Sequence, residues 1–246
     1  MEQVLIVETG ATAFLFAAIF VIGDRIRPFR ILAVNRRSIN SFSAGMSVAY
    51  VFVHLMPELH GARTSFASSA SAALRYEGMA VYLMALVGFL VSYGFLHLPA
   101  RLGTSTATGY ERLVFRLHLG GFAVYAWLVA YLLVRNLEET EVSTALYAIA
   151  MACHFLAVSD GLRREHGPAY ERVGRFVLAG MSIAGWSAGI AFPLPVPMLA
   201  MLIALVSGAV IMTSTIMELP SGKDGRFLPF VSGGLTYGLI LLPLAG

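Results

Sequence analysis

SFSAGMSVAYVFVHLMPEL, residues 41–59, is an apolar run of membrane length that carries serines toward its start and His54, Pro57 and Glu58 near its end. A helix in hydrocarbon has little reason to hold an imidazole and a carboxylate one turn apart unless that face looks onto protein or water. As a helix, the run sets Ser43, Ser47, Tyr50 and His54 at i, i+4, i+7 and i+11, which is a single stripe. Glu58 lies four residues past His54, where the two side chains are expected to hydrogen-bond. Pro57 has no N–H to offer the carbonyl of Val53, which predicts a kink and a free acceptor beside that pair. The run therefore predicts a membrane helix with a polar seam facing the protein interior.

The rest of the chain fits such a helix. Of 246 residues, 58% are hydrophobic and 13% charged, and the mean hydropathy is +0.76. A water-facing surface needs more charge than that. Runs long enough to span occur at about 4–23, 41–59, 77–97, 113–134, 143–160, 173–193, 196–218 and 228–244. The fifth is diluted by Cys153, His154, Ser159 and Asp160, and Pro193, Pro195 and Pro197 break the sixth from the seventh. The loops after the odd-numbered runs hold 14 of the 17 basic residues, whereas the other side has Arg63, Arg75 and Arg135 with the acidic Glu138, Glu139 and Glu141. The positive-inside rule then places both termini outside the cytoplasm. The net charge of +3 is thus topological, and no nucleic-acid partner is expected. The single cysteine, Cys153, excludes an internal disulfide and a multi-cysteine zinc site. No Gly-x-Ser-x-Gly turn, His-Glu-x-x-His helix or phosphate-cradling glycine loop is present, so an enzyme is not expected.

Two further patterns bear on packing. Gly185 and Gly189, and likewise Gly234 and Gly238, have the small-xxx-small spacing of close helix contacts, either within the bundle or at a homodimer face. The seventh run reuses the device of the second. Ser207, Ser214 and Glu218 form a polar stripe ending at a carboxylate beside a proline, on a helix of opposite direction. An inverted repeat of helices 1–3 and 6–8 would produce this pattern, although Gly45 to Glu58 is 13 residues and Gly208 to Glu218 is 10.

SAGMSVAYVFVHLMPEL, SGAVIMTSTIMELP and FVSGGLTYGLILLPL resemble the second, seventh and eighth helices of the ZIP (Zrt-, Irt-like) family of divalent metal transporters. The resemblance implies an all-α integral membrane protein with eight transmembrane helices, forming a single polytopic domain over residues 1–246 of a cell (inner) membrane. The family's metal chemistry sits on helices four and five, as His-Asn-x-x-Asp-Gly and His-Glu-x-Pro-His-Glu. Here the fifth run reads MACHFLAVSDGL, in which only His154 matches. The fourth has no carboxylate, and taking His118 as its motif histidine leaves Leu119 and Phe122 for the asparagine and aspartate.

The metal-ligand candidates are accordingly His154, Asp160, His118 and Cys153, with an ion pair between Asp160 and Arg163 or Arg164 as the alternative role for that carboxylate. Glu8, His54 and Glu58 are candidates for an external entrance, with a structural brace of Pro57 as the alternative role of His54 and Glu58, and Ser207, Ser214 and Glu218 continue the polar seam. His60, His97 and His166, near helix ends or in loops, are expected to face water. The function expected from the resemblance is alternating-access movement of a divalent, zinc-class cation through a reduced site that holds at most one ion. The alternative is a ZIP-fold chain that has lost transport and acts as a sensor or partner component. In a Cys153-free background, single cysteines at Ser68 and Glu139 should react with an impermeant thiol reagent from outside, and cysteines at Arg36, Thr106 and Lys223 should not. Outside labelling at position 106 would contradict eight spans with both termini outside.

Overall fold

The structure, a computed structural model, describes residues 2–23, 36–69, 77–101, 108–137, 144–218 and 225–242. Among these residues the chain forms eight helical rods and no strand. Helix α1 is Glu2–Ile22. Helix α2 joins Arg36–Tyr50 through a π turn, Val51–Leu55, to Met56–Ser69. Helices α3, α4 and α5 are Glu77–Arg101, Thr108–Leu137 and Thr144–His166. Helix α6 begins with a π turn, Tyr170–Gly174, and continues as Arg175–Ala191. Helix α7 is Val196–Thr213 followed by a π turn, Ser214–Glu218, and α8 is Phe227–Leu241.

Every expected run is helical, including the diluted fifth. Five rods, α2, α3, α4, α6 and α7, are long and apolar enough to cross a membrane, while Ile6–Ile22 and Phe227–Leu241 are shorter apolar helices. This is the build of a membrane-embedded protein. The loops with Arg25, Arg27, Arg30, Glu138, Glu139, Glu141 and Lys223 lie outside the described residues.

The kink expected at Pro57 takes the form of the π turn. A proline nitrogen cannot close the α-helical bond, and its ring crowds the carbonyl four residues back. The Met56 N–H reaches back five residues to the Val51 carbonyl. The seventh helix likewise carries a π turn, Ser214–Glu218, two residues before Pro220 in the sequence. Each π turn starts six residues after a glycine, Gly45 or Gly208, and a proline follows twelve residues after that glycine in both helices. The two helices thus share the spacing of glycine, π turn and proline, while the glycine-to-glutamate spacing differs.

Those two glycines also make the closest helix contacts. A Cβ on Gly45 would stand 2.0 Å from the Phe230 carbonyl oxygen of α8, and one on Gly233 would stand 2.1 Å from the Phe42 oxygen of α2. Between α3 and α7 the same reciprocal pair recurs. A Cβ on Gly208 would lie 1.8 Å from the Ala85 oxygen, and one on Gly88 would lie 2.0 Å from the Leu205 oxygen. In each pair the glycine and the contacted carbonyl are three residues apart on their own helix. Lipid tails are as apolar as leucine, so such backbone approach and its many van der Waals contacts hold membrane helices together.

The Gly185-xxx-Gly189 motif serves the same purpose inside the bundle, with Gly185 against the Trp127 carbonyl and Gly189 against Tyr131 and Val134 of α4. Arg135 of α4 donates from Nε to the Gly189 carbonyl at 2.7 Å, and the Tyr131 hydroxyl donates to the Phe192 carbonyl at 2.7 Å. Two carbonyls that the end of α6 leaves open are satisfied this way. Helix α1 runs antiparallel on α6, where the Trp186 indole N–H donates to Thr9 Oγ1 at 3.2 Å. Helix α5 is seated by bulk instead, with Phe155 packed against Phe16 and Phe20 of α1 and Tyr125 of α4.

One end of the bundle gathers most of the described arginines, Arg63 and Arg135 excepted, and we refer to it as the basic end. There α5 stops at Gly167, whose positive φ of 45° suits a residue without a Cβ. Arg163 Nε and Arg175 Nη1 both donate to the Glu171 carboxylate, strapping α5 to α6. The Arg226 N–H donates to Ser41 Oγ at 2.9 Å, tying the start of α8 to α2.

Gly208→Ala should lower thermal stability in detergent by more than about 2 kcal/mol, because a new methyl meets backbone that cannot retreat. Gly120→Ala, on an exposed face with open space around it, should leave stability level or slightly raised. Equal melting temperatures for the two variants would refute the backbone clasp.

Candidate functional site

The polar stripe of α2 faces the bundle interior. Its Ser47 and Tyr50 line a cavity with Met46, Cys153, His154 and Met151 of α2 and α5, and with Val210 and Ser214 of α7. Tyr50 immediately precedes one π turn and Ser214 opens the other, so the cavity sits between the two places where the α-helical ladder is interrupted. Carbonyls near a π turn are less fully used by the helix and are available to a ligand. Bundle interiors of membrane proteins tolerate irregular backbone where it borders a cavity.

His154 is buried at this cavity, and its Nε2 lies 2.9 Å from the Tyr125 hydroxyl of α4. The rings meet edge to face, with centroids 5.6 Å apart. This bond fixes the imidazole's orientation, and because the hydroxyl can donate or accept it suits either tautomer. Sequence reasoning selected His154 but not Tyr125, since nothing in the chain order of a tyrosine twenty-nine residues away marks it as the partner. Cys153 is half-buried beside His154 and close enough to interact electrostatically with Tyr237 of α8. The lining thus offers an imidazole, a thiol, two thioethers, a phenol and two serine hydroxyls.

His54 lies within the π turn of α2 and Glu58 just beyond it, both half-buried, with Nε2 and Oε2 3.8 Å apart. The expected hydrogen bond is therefore not made, since that separation exceeds its range. The π turn spans Val51–Leu55 and includes His54, so its extra residue per turn shifts the i, i+4 alignment that the bond needs. His54 stacks on Tyr50 instead, at 5.1 Å between centroids, and the Glu58 carboxyl interacts electrostatically with Tyr50 and with Tyr147 of α5. Glu8 is exposed on α1, whose main neighbours are α4, α5 and α6. Ser207 is buried beside Gly208, and its hydroxyl has no hydrogen-bond partner among the described residues. The side chain of Glu218 lies outside the described residues.

The remaining candidates sit toward the basic end. Asp160 pairs with Arg164, Oδ2 to Nη2 at 3.3 Å, whereas Arg163 turns to Glu171. His118 of α4 is buried and meets not His154 but the last turn of α5. Its Nδ1 is 2.9 Å from His166 Nε2 and 3.2 Å from Glu165 Oε1. His166 stands twelve residues past His154, roughly 18 Å along the helix. His118 and His154 consequently belong to different places, and one ion cannot bridge them.

His166 was expected to face water, but its side chain is 8% exposed and packs against Phe115 and His118. Burial holds its imidazole below the ordinary histidine pKa, the Glu165 carboxylate pulls the other way, and His118 adds to the lowering. His60 is exposed as expected, with its ring 3.4 Å from the Tyr82 hydroxyl. The five-residue extension of α5 beyond Gly161 is what turns His166 inward. No family model matches the chain, and neither a curated protein nor a solved structure matches it.

Proposed function

We propose that the chain carries a cation across the membrane by alternating access, with the cavity at His154 as its central station. The observation that supports this most is the placement of that cavity between two π turns on helices matched by glycine, turn and proline. Under a swap of helices 1–3 with 6–8, the α2·α8 clasp becomes the α7·α3 clasp, with the same three-residue spacing on each helix. Inverted repeats meet at a shared midplane site, and rocking one unit against the other exposes that site to each side in turn. The clasped pairs would move as rigid bodies, since their backbones are in contact. Helix α5, packed through Phe155 and His154, would supply the surface they move against.

The basic end is the cytoplasmic side in this proposal, by the positive-inside rule. A zinc-class ion, as the resemblance to ZIP transporters implies, would be the substrate. His154 would offer a neutral nitrogen, Cys153 a sulfur, and Ser47, Tyr50 and Ser214 oxygens that replace part of the ion's water. His54 and Glu58 would stand on the path toward the opposite end.

One observation favours the non-transporting alternative, in which the chain serves as a sensor or partner component. Among the described residues lining the cavity there is no carboxylate, and the Tyr125 hydroxyl already engages His154. A divalent ion there would keep most of its charge uncompensated in a low-dielectric site.

Purified chain in liposomes loaded with a zinc-sensitive dye separates the two. Transport predicts uptake above that of protein-free liposomes, reduced by about tenfold in Ser47→Ala and Ser214→Ala, since losing one oxygen contact worth roughly 1.4 kcal/mol gives that factor. Both changes remove only the hydroxyl oxygen and add no bulk, and size-exclusion would confirm folded protein. Folded wild-type chain with no uptake above background would leave the alternative.

A further inference from the structure

We propose that His118, Glu165 and His166 form a binding site for one zinc-class divalent cation at the basic end, clamping the last turn of α5 to α4. His118 Nδ1, His166 Nε2 and the Glu165 carboxylate all lie within 4.8 Å of one another. Zinc bound at about 2.0–2.1 Å in tetrahedral geometry needs its ligand atoms about 3.3 Å apart. The observed separations of 2.9 Å between the rings, 3.2 Å from Glu165 Oε1 to His118 and 3.9 Å from Oε2 to His166 bracket that value. Shifts of a few tenths of an ångström would therefore seat the ion.

Hydrogen bonding alone explains this arrangement poorly. His118 Nε2 is buried with no partner among the described residues, so all of that ring's polar contacts pass through Nδ1 into the cluster. Two imidazole nitrogens 2.9 Å apart need a proton between them, and a cation takes that proton's place while using both lone pairs. Glu165 supplies negative charge that the central cavity's lining lacks, and its partial exposure leaves a side open for water as fourth ligand. Glu165 and His166 stand at no motif position of the resemblance, and the site needs no transport to be occupied.

Equilibrium dialysis of the detergent-purified full chain against zinc chloride tests the assignment. Wild type should hold one zinc at this site. Glu165→Gln and His166→Ala should each weaken it by at least about tenfold, the low end of what losing even a group that supports a ligand costs. His60→Ala, at an exposed imidazole outside the cluster, should leave it unchanged. Because Glu165 is 45% exposed, its glutamine variant keeps the fold and guards against loss by unfolding. Absence of zinc from wild type, or binding by Glu165→Gln and His166→Ala equal to that of wild type, would overturn the site. Failure of liposome uptake with this binding intact would overturn only the transport proposal.

Discussion

Glycine against carbonyl oxygen is the contact on which this bundle depends. In a membrane, burying leucine against leucine gains little over leucine against lipid, so helices are held by how closely their backbones come. Four glycines, Gly45, Gly88, Gly208 and Gly233, stand where a single added carbon would lie about 2 Å from a neighbouring carbonyl oxygen. They fix α2 on α8 and α3 on α7 in one register. A slip along the helix would put a side chain against that oxygen. The register in turn sets which residues of α2 and α7 reach the cavity, and hence why Tyr50 and Ser214 face it together.

Proline supplies the second constraint. Pro57 stops the regular ladder just beyond the clasp, and α2 responds by taking in an extra residue as a π turn; α7 carries a matching π turn at Ser214–Glu218. The interruption falls beside the cavity in both helices. The clasps thus place two backbone defects where a ligand would gain from them, and the bulky contacts of Phe155 hold α5 and His154 against them. Chemistry is divided between two levels. The central cavity is lined by neutral and soft groups, whereas carboxylates at the basic end are committed to partners, Asp160 to Arg164 and Glu171 to Arg163 and Arg175, with Glu165 beside two histidines.

Much of the architecture was legible because membrane-length apolar runs and glycine spacing are local signals. All eight runs formed helices, the α2 stripe of Ser47 and Tyr50 did turn inward, and the Gly185 and Gly234 motifs serve contacts within the chain. The site was less legible, because its pairings join distant parts of the chain. Tyr125 on His154, and His118 on His166, are matched by helix packing that periodicity does not reveal. The His54–Glu58 pair stands within ion-pair reach at 3.8 Å but too far apart for a hydrogen bond, because the i, i+4 rule assumes a regular α-helix and the π turn alters the alignment.

The chain's sole cysteine makes the most direct measurement available without mutation. Cys153 lines the cavity between the π turns. Alternating access requires this cavity to open to each side of the membrane in turn. A membrane-impermeant methanethiosulfonate reagent, applied to sealed vesicles of known orientation, should therefore modify Cys153 from either side, and zinc should slow the reaction from both. Modification from one side only, or from neither while the unfolded chain reacts fully, would contradict a cavity that alternates.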